Sequence, residues 1–327
     1  VSKEQLAEIV GKLEQFWVWQ MEPNLLQVGP ITIRYYGVLF AAGLLLGFYL
    51  WRWQMLRPGH DRVVTEKFLI WGVIAVLAGS RLGHCLFYEP EIYLRNPLKI
   101  LKIWEGGLAS HGATVGIITT VWLYAKRYGF SVVEMMDRMA LPTCMGALFV
   151  RLGNFMNSEI VGRVWDGPWA TRFPAYTHMN QNLWENAHSQ RLSFVAEALP
   201  RHPSQLYEAA GAIVVFLILM AVDRALKEKR PRGLMAGIFL AGYFTFRFVV
   251  EYFKEFQSLG RLVVHEDLKV VVMEPTSGLT MGQYLSLPFI ALGLALVAYA
   301  LAKRLPASAP STKVTGSKTP PPRKKRT

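Results

Sequence analysis

The chain alternates between long apolar runs and short polar breaks. Seven runs stand out, at residues 36–51, 68–87, 107–124, 133–150, 204–222, 234–253 and 283–302. Each approaches the roughly 20 residues that a helix needs to cross a bilayer core. None has the period-two alternation over about ten residues that a membrane barrel strand requires. The pattern therefore predicts an all-α polytopic membrane protein with seven transmembrane helices. Ahead of them, Leu6, Ile9, Val10, Leu13, Phe16 and Trp17 recur at near-helical spacing with charges between. This predicts an amphipathic arm on the membrane surface over residues 1–30. Pro23 and the Gly29-Pro30 pair close it. The arm is charged and lacks a small-residue cleavage site, so it is not expected to be a cleavable signal peptide.

Charge placement orients the runs. Arg52, Arg57, Arg62 and Lys67 follow the first run, and Lys126 and Arg127 follow the third. Arg224, Lys227, Lys229, Arg230 and Arg232 follow the fifth, and Lys303 and Arg304 the seventh. By the positive-inside rule these breaks are cytoplasmic, which puts the N-terminus outside and the C-terminus inside. The expected organisation is an arm at 1–30, spans one to four at 31–156, an external head or lid at 157–202, spans five to seven at 203–304 and a disordered basic tail at 305–327.

Composition agrees. Of 327 residues, 52% are hydrophobic and 13% aromatic, too apolar for an ordinary soluble domain. The net charge of +13 would suggest nucleic-acid binding in a soluble protein. Here the cations sit between runs and in the tail, so topology accounts for them, and no nucleic-acid partner is expected. The two cysteines, Cys85 and Cys144, lie inside predicted spans without metal-ligand spacing. No metal and no cofactor are expected.

The candidate chemistry sits at run ends. Arg151-Leu-Gly-Asn154-Phe-Met-Asn157-Ser-Glu159-Ile-Val-Gly162-Arg163 follows the fourth run and packs charge and amides at bilayer depth, where unpartnered polar groups are costly. His111 opens the third run among Gly106, Gly107 and Gly112. Tyr243, Arg247 and Glu251 repeat every four residues and share one helix face. Tyr36 opens the first run, and the segment from Arg201 to Glu208, with His202, opens the fifth. Two arginines at the external leaflet can bind a phosphate through forked hydrogen bonds, and a phospholipid headgroup is the anion at that depth. A neutral histidine nearby can act as a general base. These residues point to an enzyme or binder acting on a phospholipid head, without fixing the reaction.

The motifs resemble those of the phosphatidylglycerol–prolipoprotein diacylglyceryl transferase family. The resemblance rests on the Arg151–Arg163 segment, Tyr35-Tyr36-Gly37, Gly106-Gly107-Leu-Ala-Ser-His111-Gly112, His202-Pro-Ser-Gln-Leu-Tyr-Glu208, and Gly242-Tyr243 with Arg247 and Glu251. They occur in the family's order over about residues 30 to 302; Ala113 and Phe149 stand where the family often has glycine. The resemblance implies a seven-span enzyme of the bacterial inner membrane with its site toward the periplasm. It implies transfer of diacylglyceryl from phosphatidylglycerol to the lipobox cysteine of a prolipoprotein, with release of glycerol 1-phosphate. It implies lipid-phosphate roles for Arg151 and Arg247, signature positions at Asn154, Glu159 and Gly162, and functional roles for His111, Tyr36 and Tyr243. Asn157, Glu251 and His202 complete the expected substrate-contacting set. A lipid-binding or transport protein and a structural scaffold are the competing readings.

Overall fold

The computed structural model describes residues 11, 15–29, 31–102, 107, 109–177, 198–255, 261–265, 270–274 and 278–306. Seven long helices dominate them: α1 (Tyr35–Leu56), α2 (Arg62–Phe87), α3 (Ser110–Tyr128), α4 (Val132–Met156), α5 (Ser204–Leu226), α6 (Leu234–Val250) and α7 (Met281–Lys303). Five of them, α1, α2, α4, α5 and α7, are long and apolar enough to cross a membrane. α6 is apolar but has 17 residues, and α3 does not join the five. Local signals set the ends. The Asp61 side chain accepts from the Val64 N–H at 2.8 Å to start α2. Gly129, at φ 74°, ends α3. Thr280 and Gln283 form a capping box ahead of α7.

α4 is the hub, packing against α1, α5 and α6, while α2 pairs with α3 and α6 with α7. Two apolar cores fill the bundle. Trp51, Met55, Phe68, Tyr124 and Met135 form one; Leu141, Cys144, Val215, Leu219 and Met235 form the other. Leu45, Ile70, Ile74, Val115, Leu217 and Leu294 are exposed, so the outer surface is apolar as lipid contact requires. Arg81, buried inside α2, answers its own desolvation problem. Its guanidinium donates to the carbonyls of Lys99 at 2.7 Å, Ile100 at 2.9 Å and Lys102 at 3.1 Å.

Two sequence expectations change. The arm is not helical through to Pro23, because β1 (Trp17–Val18) is a strand. It pairs in parallel with β4 (Thr171–Arg172), which pairs with β5 (Pro200–Arg201). β2 (Asn24–Val28) folds back on β3 (Ile31–Arg34) through Gly29 at φ 60°. The reason is tertiary: Trp19 packs on Phe155 at 4.4 Å, so the arm docks on the end of α4. The fourth helix also runs past Val150 to Met156, which puts Arg151 and Asn154 inside its last turns. A last antiparallel hairpin joins Arg261–His265 to Val270–Glu274. Leu6, Ile9, Val10, Leu13, Gly106, residues 178–197 of the expected head and the tail from 307 lie outside the described residues.

The end of the bundle that holds the C-terminus of α1 carries a dense ion network. Arg57 grips Asp223 at 2.6 and 3.1 Å and Glu228 at 2.7 Å. Arg138 pairs with Glu134 at 2.7 Å and Glu228 at 3.1 Å. Asp137 accepts from the N–H groups of Gly233 and Ala236 at 2.7 and 2.8 Å, satisfying the open start of α6. Arg57 reads in the sequence as a topology signal, and in the fold it belongs to a network that joins α1, α4, α5 and α6.

Candidate active site

The opposite end brings together the C-termini of α4 and α6 and the N-termini of α1, α5 and α7. Arg151, on α4, meets a Glu208 oxygen from α5 at 2.6 Å; the Glu208 side chain is only 4% exposed. Arg151 also donates to the Asn154 Oδ1 at 3.2 Å. The Asn154 amide donates onward to Glu159 at 3.2 Å, and the Asn157 amide to its other oxygen at 3.1 Å. Tyr243 lies against the same guanidinium, and Tyr36 stands within electrostatic range of Arg151 and Glu159. Tyr36 can come that close because residue 153 is glycine: a Cβ there would stand 2.7 Å from the tyrosine ring.

Arg247 and Glu251 are ion-paired across one turn of α6, as their spacing predicts. Gly282 in the first turn of α7 packs against the Glu251 carboxylate, so a helix N-terminus favours that negative charge. Lys254 links the two halves, at 3.3 Å from Glu208 and 3.9 Å from Glu251. It is 7% exposed, and burial draws its ammonium below the ordinary lysine range; Arg247 and Arg151 act the same way, against Glu208. Sequence reasoning missed Lys254. The available signal was its position one helical turn after Glu251.

The turn after α4 is strained. Ser158 and Ile160 both sit at φ 55°, a region costly for a β-branched residue. α5 holds it there: Gln205 donates to the Glu159 carbonyl at 2.6 Å and Ser204 to the Ile160 carbonyl at 2.9 Å. Gly162 then passes between two other backbones. Its N–H donates to the His202 carbonyl at 2.9 Å, and a Cβ would stand 2.6 Å from the Phe253 oxygen. The glycine supplies close approach.

Two expected residues stand apart from this connected set. His202 stacks on Trp165 at 4.2 Å, and its Nδ1 lies 3.1 Å from the Tyr207 hydroxyl. Burial, then the Arg163 charge, lowers its pKa. The unfolded chain thus binds the proton better than the folded one. This contribution to stability is present above the unfolded value of about 6.5 and is lost as pH falls. His202→Phe, which keeps the stack, is expected to lose less thermal stability than the wild type between about pH 7 and pH 5. Equal losses in a paired melting series count against that assignment. His111 is exposed at the first turn of α3 and makes no side-chain hydrogen bond among the described residues.

The sequence model of the family described as prolipoprotein diacylglyceryl transferase matches residues 23–299. The chain belongs to this family. A phosphatidylglycerol–prolipoprotein diacylglyceryl transferase from Tolumonas auensis is 39% identical over 280 residues, covering 85% of this chain and 95% of that protein. Relatives with the same name from Cupriavidus pinatubonensis and Neisseria meningitidis are each 36% identical, over 288 and 285 residues. They are covered over 92% and 94% of their lengths, against 86% and 84% of this chain. The matched region includes every residue of the diacylglyceryl transferase motifs and the whole polar cluster.

Proposed function

We propose that this chain transfers the sn-1,2-diacylglyceryl group of phosphatidylglycerol to the lipobox cysteine of a prolipoprotein, the first step of lipoprotein maturation. The observation that carries this is a pair of arginines in one polar cluster at one end of an apolar bundle, in a chain of this family. In the step, the thiol sulfur attacks the glyceryl carbon, a C–S bond forms and the C–O bond to phosphate breaks. Glycerol 1-phosphate leaves with the electron pair, and the thiol proton goes to a base. The balance needs no redox partner.

Arg151 and Arg247 are the proposed phosphate ligands, stabilising charge as it builds on the departing ester. Tyr36, Tyr243, Asn154, Asn157, Glu159 and Glu251 orient them or the substrate, while Gly162 and His202 shape the adjoining wall. His111 is the proposed base, exposed where an incoming thiol can reach it. Only a few per cent of a free thiol is ionised at neutral pH, and a positioned base is commonly worth about 10²–10⁴ in rate. His111→Gln is expected to lose activity in that range with normal insertion, read by turnover in detergent; normal turnover removes His111 from the role. The proposed setting is the bacterial inner membrane, with seven spans, the N-terminus outside, the site toward the periplasm, the head at 157–202 over it and the basic tail from 305 in the cytoplasm.

The test uses purified protein, phosphatidylglycerol and a lipobox peptide. A diacylglyceryl mass gain on the peptide, matched by glycerol phosphate release and absent with a Cys→Ser peptide, is the expected result. Lipid binding without either product would favour the lipid-binding reading.

A further inference from the structure

We propose that Lys254 is a positioning residue that takes over the carboxylates of Glu208 and Glu251 when Arg151 and Arg247 close on the lipid phosphate. This rests on the reading above that the two arginines receive that phosphate. In the structure both arginines are already engaged. Arg151 holds one Glu208 oxygen at 2.6 Å, and Arg247 holds Glu251. An incoming phosphate must displace carboxylates that are 4% and 14% exposed. Leaving a buried carboxylate without a cation is strongly unfavourable, so the exchange needs a third positive group within reach.

Lys254 meets that need by position. Its ammonium is 3.3 Å from the Glu208 oxygen that Arg151 does not hold in its closest contact, and 3.9 Å from Glu251. The second distance is longer than a full pair, so a shift of the flexible stem converts shared contact into pairing. The main chain beneath it is fixed. The Lys254 carbonyl accepts from the Arg163 Nε at 3.0 Å, and residues 162 and 254 form an antiparallel bridge. Arg163 N–H donates to the Phe253 carbonyl at 2.8 Å and Glu255 N–H to the Val161 carbonyl at 3.2 Å. The segment that follows Arg151 in sequence thus anchors the backbone of the residue that would release Arg151 for the phosphate.

The experiment measures KM and kcat of the full chain for a short-chain phosphatidylglycerol at saturating lipobox peptide. Lys254→Met is expected to raise the lipid KM by about tenfold or more while kcat changes less than about threefold, and Lys254→Arg to restore KM to within about threefold. With Glu208→Gln already present, adding Lys254→Met is expected to change KM by less than about threefold, because the carboxylate at 3.3 Å is gone and Glu251, at 3.9 Å and beside the start of α7, depends on Lys254 less. An unchanged KM in Lys254→Met, a loss confined to kcat, a folded Lys254→Arg that does not restore KM, or a further rise of about tenfold in the Glu208→Gln background each overturns the proposal. If Lys254→Met alone fails to insert, the comparison within the Glu208→Gln background decides. If the wild type transfers nothing, the proposed reaction fails instead, and the same ordering is then read from lipid dissociation constants.

Discussion

Arg151→Ala is expected to reduce diacylglyceryl transfer by about 10²–10³-fold or more, the loss typical of removing one donor from a developing anion. Arg151 is engaged on every side, by Glu208, Asn154 and Tyr243. Its removal deletes a phosphate ligand and loosens the chain of contacts through Asn154 to Glu159. Lys254 still faces Glu208, so the variant keeps one cation for that carboxylate and is expected to insert. Arg151→Lys is expected to recover little, because a point-charge ammonium cannot make two parallel bonds to a phosphate. Glycerol phosphate release, normalised to folded protein, is the measurement. Arg151→Ala within about tenfold of wild type would remove the residue from the phosphate site.

Arg138→Met is expected to do the reverse. It should destabilise the protein by about 3–5 kcal/mol and leave the rate per folded molecule near normal. Arg138 and Glu134 are 0% and 1% exposed, so the substitution takes the nearest cation from a fully buried carboxylate. Arg232 lies 3.8 Å from Glu134 and recovers only part of the loss. Arg138 sits nearly four helical turns before Arg151 on the same helix, α4, so no route by direct contact links it to the cluster. Chemical denaturation in detergent beside the transfer assay checks both parts. A rate loss as large as that of Arg151→Ala, in a stably folded variant, would sink this division between the two ends.

The helices were legible because apolar length is a direct readout of a bilayer requirement. Their ends were less so: the apolar run stops at Val150, yet α4 continues through Arg151 and Asn154 to Met156, since side-chain partners on α5 make polar residues acceptable inside a helix. Arg247 and Glu251 were readable as a pair because four residues on a helix fix their proximity. Arg151 and Glu208 were not, being 57 positions apart and joined only by the packing of α4 on α5. Lys254 meets Glu208 through the same kind of long-range packing, and only its spacing from Glu251 is local. The arm showed near-helical spacing, but the partners of Trp17 and Trp19 lie in the head and at Phe155, and no local pattern reports them. At the other end, Arg57, Arg230 and Arg232 looked like topology signals because a sequence displays charge without its counter-ion.

The cluster's charges also bear on how its ligand is chosen. Arg151, Arg247 and Lys254 face Glu159, Glu208 and Glu251, three positive groups against three negative. Before a substrate arrives, such a site has little net field and does not steer anions from a distance. Recognition is deferred to contact, where a phosphate must outcompete carboxylates for the same guanidiniums. Capture of lipid should therefore respond weakly to ionic strength, and discrimination between headgroups should lie in residence time rather than in arrival rate.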